Sequence, residues 1–171
     1  MNFKVNDSVL YGTEGVCKIS EITTQDFMGT PTEYYVLKPI YSAGSTVFVP
    51  VANEMLTAKM RRIMSAEEIY ALIRSMPDEE LPWIENDIER RERCREIIQV
   101  GDRRELVGLI KGLYLHGEHQ RERGRKLHAA DERFLRDAEK ILYEEFAHVL
   151  QIKRDEVLPF IMEQIDVKLR A

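Results

Sequence analysis

The sequence predicts a two-domain protein of the α+β class, with a small β-barrel followed by a bundle of about five α-helices. Three observations lead to this prediction. Residues up to about 58 contain short β-branched and aromatic runs, glycine and proline bound these runs, and the residues from 65 onward show helical apolar spacing and capping signals. We therefore expect a barrel at 1–58, a junction at 59–64 and a helical domain at 65–171.

The strand-rich half contains four clear runs, at 9–11, 16–22, 33–38 and 45–49. Four or five such short strands are too few for a sandwich of normal size. They fit a strongly bent barrel or half-barrel of the SH3 or Tudor kind, in which closure hides most strand edges. Gly29 marks a hairpin tip, where Phe27 and Met28 are unusually apolar. This tip is either a contact surface or folded back on the barrel.

Capping and breaking residues divide the second half into five helices, at 66–75, 82–100, 102–123, 130–150 and 155–169. The segment 65–68 has the pattern of a capping box, and 102–105 repeats it. Pro82 suits the first turn of the second helix. Asp155 is the expected cap of the fifth helix, where Pro159 is tolerable if it falls in the first turn.

The helix expected at 82–100 has three distinct sides. The apolar side contains Trp83, Ile84, Ile88, Cys94, Ile97 and Ile98, the opposite side contains Glu85, Glu89, Glu92 and Glu96, and the flanks contain Arg90, Arg91, Arg93 and Arg95. These arginines either form ion pairs on a solvated face or join a narrow phosphate-binding patch. The remaining candidates for such a patch are Arg103, Arg104, Lys111, Arg121, Arg123, Arg125 and Lys126.

Trp83 is the only tryptophan and is expected at the start of that helix. In the core, its indole N–H needs a hydrogen-bond partner. On the surface, its ring can stack on a base or wedge beside a base step. The residues alone favour the core.

Composition and charge exclude several classes of protein. The chain has 171 residues with 25 Lys and Arg against 30 Asp and Glu, a net charge of -5, so it is not a general polycationic nucleic-acid binder. Residues 83–126 hold eleven basic and nine acidic groups, so any phosphate contact must be local. No apolar run is long enough to span a bilayer and no secretory pattern is present, so we expect a cytoplasmic protein with no membrane partner.

No catalytic constellation is complete in this sequence. A phosphate loop, a dinucleotide fingerprint and a nucleophile elbow are all missing, and Cys17 and Cys94 form no metal motif. His116 and His119 have a spacing that can place two imidazoles on one metal, but the order HEXXH is lacking. We expect no enzyme activity, metal or cofactor, and a metal-dependent enzyme using these histidines is one alternative.

Several segments together resemble the CarD/CdnL family of bacterial transcription regulators. In the strand-rich half these are FKVNDSVLYGTEGVCKISEI at 3–22, EYYVLKP at 33–39 and TVFVPV at 46–51, which are similar to a module also found in the transcription-repair coupling factor. In the second half, the order of Trp83, Gly101-Asp102 and the segment AADERFLRDAEKILYEEFA is similar to the family's C-terminal domain.

The resemblance implies a non-enzymatic regulator. Its Tudor-like barrel would dock on the β subunit of RNA polymerase, and its helical domain would reach promoter DNA at the upstream edge of the transcription bubble. Trp83 matches the family's minor-groove wedge, which basic residues on the DNA backbone support. The candidate polymerase contacts in the barrel are Gln25, Phe27, Met28, Val47 and Phe48.

The chain also departs from the family's pattern. Family members commonly have Arg or Lys directly after the tryptophan, whereas Glu85 and Asp87 stand near it here and should repel phosphate. The leading hypothesis is a regulator that binds polymerase through 1–58 and DNA through 80–126. Its rival is a protein-interaction adaptor with the same two domains and no DNA binding.

Overall fold

The strand-rich half forms one antiparallel sheet in the computed structural model, which describes residues 2–27 and 29–170, with side chains up to residue 165. The strands are β1 (Ser8–Tyr11), β2 (Val16–Gln25), β3 (Thr32–Pro39), β4 (Val47–Pro50) and β5 (Met60–Arg62). Their order in the sheet is β4-β3-β2-β1-β5. The predicted α+β class, with a small barrel-like N-terminal unit, is confirmed.

The sequence pattern does not predict two elements of this unit, the short helix α1 (Glu54–Thr57) and the strand β5. We expected a junction at 59–64, but β5 pairs with β1, and Met60 lies opposite Tyr11. The strand is hard to recognise because two of its three residues are arginines, while Met60 alone is buried. The first compact unit therefore ends at Ile63.

A β-bulge in β2 changes which residues face the core. Ile19 pairs with Leu37 and Glu21 pairs with Val36, so Ser20 is the extra residue. The Ser20 hydroxyl donates to the Val36 carbonyl at 3.2 Å. Because successive side chains of a strand point to opposite faces, odd-numbered residues of β2 face the core before the bulge and face outward after it.

The core of the first unit consists of apolar side chains on the inner face of the sheet. Its buried members are Val9, Cys17, Ile19, Tyr35, Leu37, Val49 and Met60. Phe3 packs its ring edge against Tyr35, with 6.2 Å between the ring centroids. The opposite face also buries apolar side chains, among them Val36, beside residues that stay exposed, such as Phe48.

Five helices form the described part of the second unit, as predicted. They are α2 (Ala66–Ser75), α3 (Asp87–Val100), α4 (Arg103–Glu122), α5 (Ala129–Leu150) and α6 (Arg154–Arg170). The capping box of Ser65 and Glu68 is formed in both directions. The Asp102 carboxylate accepts the N–H of Glu105 at 3.0 Å and caps α4. Local capping signals therefore predict these two helix starts correctly.

The prediction that the second long helix begins at Pro82 is wrong. The N-cap of α3 is Asn86, whose side chain accepts the N–H of Glu89 at 3.0 Å. Asparagine is among the strongest N-cap residues, whereas Leu81, before the proline, has no side-chain acceptor. Trp83 consequently lies in an irregular segment before the helix.

The buried side of α3 also differs from the predicted one. Ile88 is 70% exposed, while Arg90 is only 5% exposed and joins Cys94, Ile97 and Ile98 on the buried side. The predicted apolar side was drawn through Trp83 and Ile84, which lie before the helix. Without these two residues, the buried stripe of α3 runs through Arg90 and Cys94 and leaves Ile88 outside it.

The start of α6 differs slightly from the prediction. The helix begins at Arg154, so Asp155 lies inside its first turn and is not its cap. Pro159 lies beyond the first turn, contrary to our expectation. Proline has no N–H, so the carbonyl of Asp155 lacks its usual partner within the helix.

The core of the second unit joins α2, α4, α5 and α6. Its buried side chains include Ile69, Ile73, Val107, Leu142, Phe146, Val157 and Ile161. Within the residues that the structure describes, no helix is both long enough and apolar enough to cross a membrane.

Two buried ion pairs connect the helices of this unit. Arg90 of α3 donates to both carboxylate oxygens of Asp131 on α5, from Nε at 3.1 Å and from Nη2 at 2.9 Å. Arg103 of α4 donates in the same way to Glu145 of α5, at 3.0 and 2.6 Å. Glu145 also accepts the N–H of Met64 at 3.0 Å. Helix α5 thus supplies the carboxylate of both pairs.

Replacing one partner of the first pair should destabilise the helical unit strongly. We expect Asp131→Asn to lower its free energy of unfolding by about 3–5 kcal/mol, because the buried Arg90 charge then keeps only the half-exposed Asp87 as its counterion. Urea unfolding followed by the fluorescence of Trp83 measures this unit specifically. Asp137→Asn, at an exposed position of α5, is the control and should change little. Equal effects of the two substitutions would contradict this account.

Candidate functional site

Three aromatic side chains form a cluster on the first unit. Phe27, Tyr34 and Phe48 contact one another edge to face, with ring centroids 5.4 Å apart for Phe27–Tyr34, 5.4 Å for Phe27–Phe48 and 6.0 Å for Tyr34–Phe48. Phe27 is 58% exposed and Phe48 is 41% exposed. We call these three residues the aromatic cluster. Exposed aromatic groups in contact with one another are typical of protein-binding surfaces.

Strand alternation explains why these side chains meet. Phe48 of β4 lies opposite Val36 of β3, and Tyr34 lies two residues before Val36, so both rings are on the same face of the sheet. Val47 and Val49 point to the opposite face, where they pack in the core. Of the two candidate contacts on β4, Phe48 therefore faces outward and Val47 faces the core.

The other candidate contacts lie at the hairpin between β2 and β3. Gln25 is exposed at the end of β2, opposite Thr32. Phe27 packs on Tyr34 and Phe48, so the tip folds back on the sheet. Phe27 nevertheless stays 58% exposed and can contact a partner, so the tip combines the two alternatives of a folded-back tip and a contact surface. Met28 lies outside the described residues.

The edge of β4 adds backbone groups to this surface. Val51 donates its N–H to the carbonyl of Glu33, so the residues of β4 that bond to β3 are Val47 and Val49. The N–H and carbonyl of Phe48 therefore point away from β3, at the end of the strand order. Such an edge can accept an additional strand from a partner.

In the second unit, Trp83 is half-buried and contacts α3 and α4. Its ring stacks on the His116 ring, with 3.7 Å between centroids and an interplanar angle of 15°. The Arg90 guanidinium carbon lies 4.7 Å from the Trp83 ring centroid. The residues alone favoured a core position, and the structure places the ring at the margin of the core.

Arg90 also fixes the segment that carries Trp83. Its Nη1 donates to the carbonyls of Ile84 and Glu85 at 2.9 and 3.3 Å, and its Nη2 donates to Asp87 at 2.7 Å. The hydrogen bond to Asp131 is the largest influence that raises the pKa of Arg90. The guanidinium is thus surrounded by acceptors of its own chain and has no exposed face for a phosphate.

The other α3 arginines differ in their surroundings. Arg93 donates to Glu105 of α4 at 2.6 Å and lies 3.3 Å from Glu96. Arg91 is half-buried, and Arg95 is exposed with its guanidinium carbon 5.8 Å from the centroid of the Phe134 ring. These contacts support the ion-paired alternative for Arg93 and leave Arg95 accessible.

Three basic candidates on α4 are held by groups of the helical unit. Arg103 belongs to the buried pair with Glu145. Lys111 donates to three backbone carbonyls between residues 76 and 79, at 3.0 to 3.4 Å. Arg104 is 3.4 Å from Glu79 but its side chain is 70% exposed. Of the three, only Arg104 offers much of its charge to solvent.

The last four candidates lie together at the end of α4. Arg121, Arg123, Arg125 and Lys126 are all exposed, and we call the segment 121–126 the basic turn. Arg121 pairs with Glu118 at 2.9 Å, one turn earlier on the helix. No other ion pair involves the basic turn among the described residues.

The two histidines considered for a metal do not act as a pair. His116 is stacked on Trp83 and its Nε2 lies 3.2 Å from the side-chain nitrogen of Gln120, whereas His119 is exposed. In the described part of the chain, no group of three or more His, Cys, Asp or Glu side chains is arranged to hold a metal ion.

Sequence reasoning missed Tyr34 and Asp131. Tyr34 stands in a strand whose register places it beside Phe48, and that register is set by β4, which follows after a loop. Asp131 is separated from Arg90 by 41 positions. The sequence shows Asp131 only as an acidic residue in the first turn of a helix. Many helices have such a residue, so it does not indicate a buried ion pair.

Comparison with known families identifies the first unit. Residues 3–64 match the model of the CarD-like/TRCF RID domain. The match covers the whole sheet, β1 to β5, and includes the aromatic cluster. The resemblance that the sequence motifs indicated for this half is therefore confirmed.

The stack of Trp83 on His116 predicts a pH-dependent fluorescence signal. Burial is the main cause that lowers the pKa of His116 from 6.5, and the Arg90 charge lowers it further. A histidine with a lower pKa in the folded state binds its proton more weakly there, so the stability of the unit should decrease as the pH falls through 6.5. We expect the emission of Trp83 to change with a midpoint below 6.5, as the imidazolium forms beside the indole.

Two substitutions test this assignment. His116→Gln should remove the titration, while His119→Gln, three residues further on α4, should leave it in place. A titration that survives in His116→Gln would show that another group is responsible.

Proposed function

We propose that this chain, whose residues 3–64 form a CarD-like/TRCF RID domain, is a bacterial transcription regulator that binds the β subunit of RNA polymerase. The observation that carries the proposal is the aromatic cluster on the matched domain. The RID domain is a protein-interaction module known from proteins that interact with RNA polymerase. The proposed role is non-enzymatic, and its partner places it in the cytoplasm.

Two properties of the surface support a specific protein contact. The aromatic cluster offers large apolar side chains already held against one another, so little conformational entropy is lost when a partner covers them. The adjacent edge of β4 offers the N–H and carbonyl of Phe48. We infer that a strand of the β subunit adds to this edge while the aromatic cluster fills an apolar depression beside it.

The charge near the aromatic cluster suits a partner other than nucleic acid. The first unit as a whole, residues 1–63, holds six basic and six acidic groups and so has no positive excess. Asp26 and Glu33 are exposed close to the aromatic cluster in sequence. An acidic margin repels phosphate and is compatible with a protein partner.

We propose promoter DNA as the second partner, contacted by the helical unit after polymerase binding. A chain of charge -5 is poorly suited to find DNA alone, but polymerase raises its local concentration at the promoter. The wedge role that the family resemblance implies for Trp83 would require its ring to leave His116 or to use its remaining exposed surface. A protein adaptor that never contacts DNA is the competing function.

Removing the aromatic cluster should weaken polymerase binding. We expect Phe27→Ala and Phe48→Ala each to raise the dissociation constant for purified RNA polymerase by about 30-fold, the effect of losing about 2 kcal/mol at a binding hot spot. Biolayer interferometry with the full-length chain measures the constant.

A matched variant and a stability measurement complete this test. Met55→Ala removes an 81% exposed apolar side chain of α1 in the same unit and should leave binding within about twofold. Circular dichroism melts of all variants show whether the sheet is intact. Wild-type affinity in both phenylalanine variants would refute the proposed surface.

A further inference from the structure

The helical unit contains an apolar groove between α4, α5 and α6. Its cavity has a volume of about 430 Å³, within the range of about 300–1,000 Å³ that is typical of small-molecule sites. The buried side chains of Val107, Leu142 and Ile161 line it, together with Leu158 and Met162, which are 46% and 58% exposed. The groove thus reaches from the core of the unit to solvent.

The groove exists because α6 has a wider apolar face than the core covers. Leu158, Ile161, Met162 and Ile165 follow one another at intervals of three, one and three residues, which places them on one side of the helix. Ile161 is only 4% exposed, whereas Leu158 and Met162 remain open to solvent. An apolar ligand in the groove would remove these exposed side chains from water.

Lys111 lines the groove, but its positive charge is already held by the protein. Its Nζ donates to the carbonyls of Met76, Pro77 and Glu79 at 3.4, 3.0 and 3.0 Å. An ammonium group has three donors, and these three carbonyls accept from all of them. Lys111 therefore offers little to an anionic ligand.

Glu139 has the opposite character. It is half-buried in the wall of the groove, and no residue that the structure describes forms a hydrogen bond or a close ion pair with its carboxylate. Burial is the main cause that raises the pKa of Glu139, and the charge of the exposed Arg154 acts in the opposite direction. A carboxylate without a partner in apolar surroundings is costly, so a cation beside it is favoured.

Tyr143 adds a second acceptor on the same side of α5. It lies four residues after Glu139, one helical turn away, and also lines the groove. Burial and the charge of Glu139 raise the pKa of Tyr143 to about 12, so its hydroxyl stays neutral near pH 7. The hydroxyl oxygen can accept a hydrogen bond from a ligand that also pairs with the carboxylate.

We propose that this groove binds a small amphipathic amine, with its apolar part against Leu142, Leu158 and Met162 and its ammonium group beside Glu139. Charge complementarity selects an amine over a carboxylate or a phosphate, because Glu139 lacks a partner while Lys111 is occupied. All of these residues lie in the second unit, so the proposal does not rest on polymerase binding by the first unit.

Nuclear magnetic resonance of the methionine methyl groups locates the ligand. We would titrate the full-length chain, isotope-labelled at these methyl groups, with octylamine. Met76 and Met162 line the groove and their signals should shift, whereas the signals of Met55 and Met60 in the first unit should stay in place. We expect a dissociation constant of about 0.1–1 mM for a ligand of this size.

Two comparisons of ligands test the chemistry of the site. Octylamine should bind about tenfold more tightly than octanol or octanoate, because only the ammonium group pairs with Glu139. Hexylamine should bind about 15-fold more weakly than octylamine, because each buried methylene contributes roughly a factor of four.

A pair of substitutions tests the role of the carboxylate. Glu139→Gln should remove the preference for octylamine over octanol and keep the binding of octanol. Glu163→Gln changes an exposed carboxylate of α6 outside the groove and should keep the preference. In thermal unfolding, Glu139→Gln should be at least as stable as the wild type, since an unpaired carboxylate is removed.

Several results would overturn the proposal. They are equal affinity for octylamine and octanoate, an equal loss of preference in Glu139→Gln and Glu163→Gln, and shifts spread over the methionines of both units. Sedimentation of the wild-type chain as a dimer that Met162→Gln separates into monomers would also overturn it, because a second copy would then cover the groove.

Discussion

The buried pair of Arg90 and Asp131 determines much of the helical unit. Burying a charge is costly unless every donor finds an acceptor, and Arg90 meets this requirement with Asp131, Asp87 and the carbonyls of Ile84 and Glu85. One guanidinium therefore connects the start of α3, the start of α5 and the irregular segment before α3. Its position beside Trp83 also fixes where that ring can lie.

The basic residues of the helical unit therefore include two groups, those that are buried in ion pairs and those that are exposed to solvent. An arginine near the tryptophan could in principle contact DNA, but here Arg90 stabilises the fold. Of the basic residues at 83–126, those that stay exposed are Arg95, Arg104 and the four of the basic turn. The first unit shows the same division for apolar groups, since Val47 stabilises the core while Phe48, its neighbour on β4, is exposed. In this unit, the side chains for which we propose a function are exposed ones that do not belong to the core.

Among the described residues, short-range rules predicted the class of the fold, the five helices of the second unit and four of the five strands, but not the short helix α1. They failed where two local signals compete, because Pro82 fits a first helical turn but Asn86 caps α3 more strongly. They also failed where a residue's surroundings come from distant parts of the chain. Arg90 could be placed on a flank of a helix, but its burial depends on Asp131, and the role of Tyr34 depends on the pairing of β3 with β4.

We propose that the outer face and the β4 edge of the RID domain bind RNA polymerase. Amide hydrogen exchange of the full-length chain, measured with and without polymerase, tests it most directly. We expect slower exchange at Phe48 in β4 and at the hairpin between β2 and β3, because an added strand and a covered aromatic cluster exclude water. Unchanged exchange at both places, with protection confined to the helical unit, would contradict it.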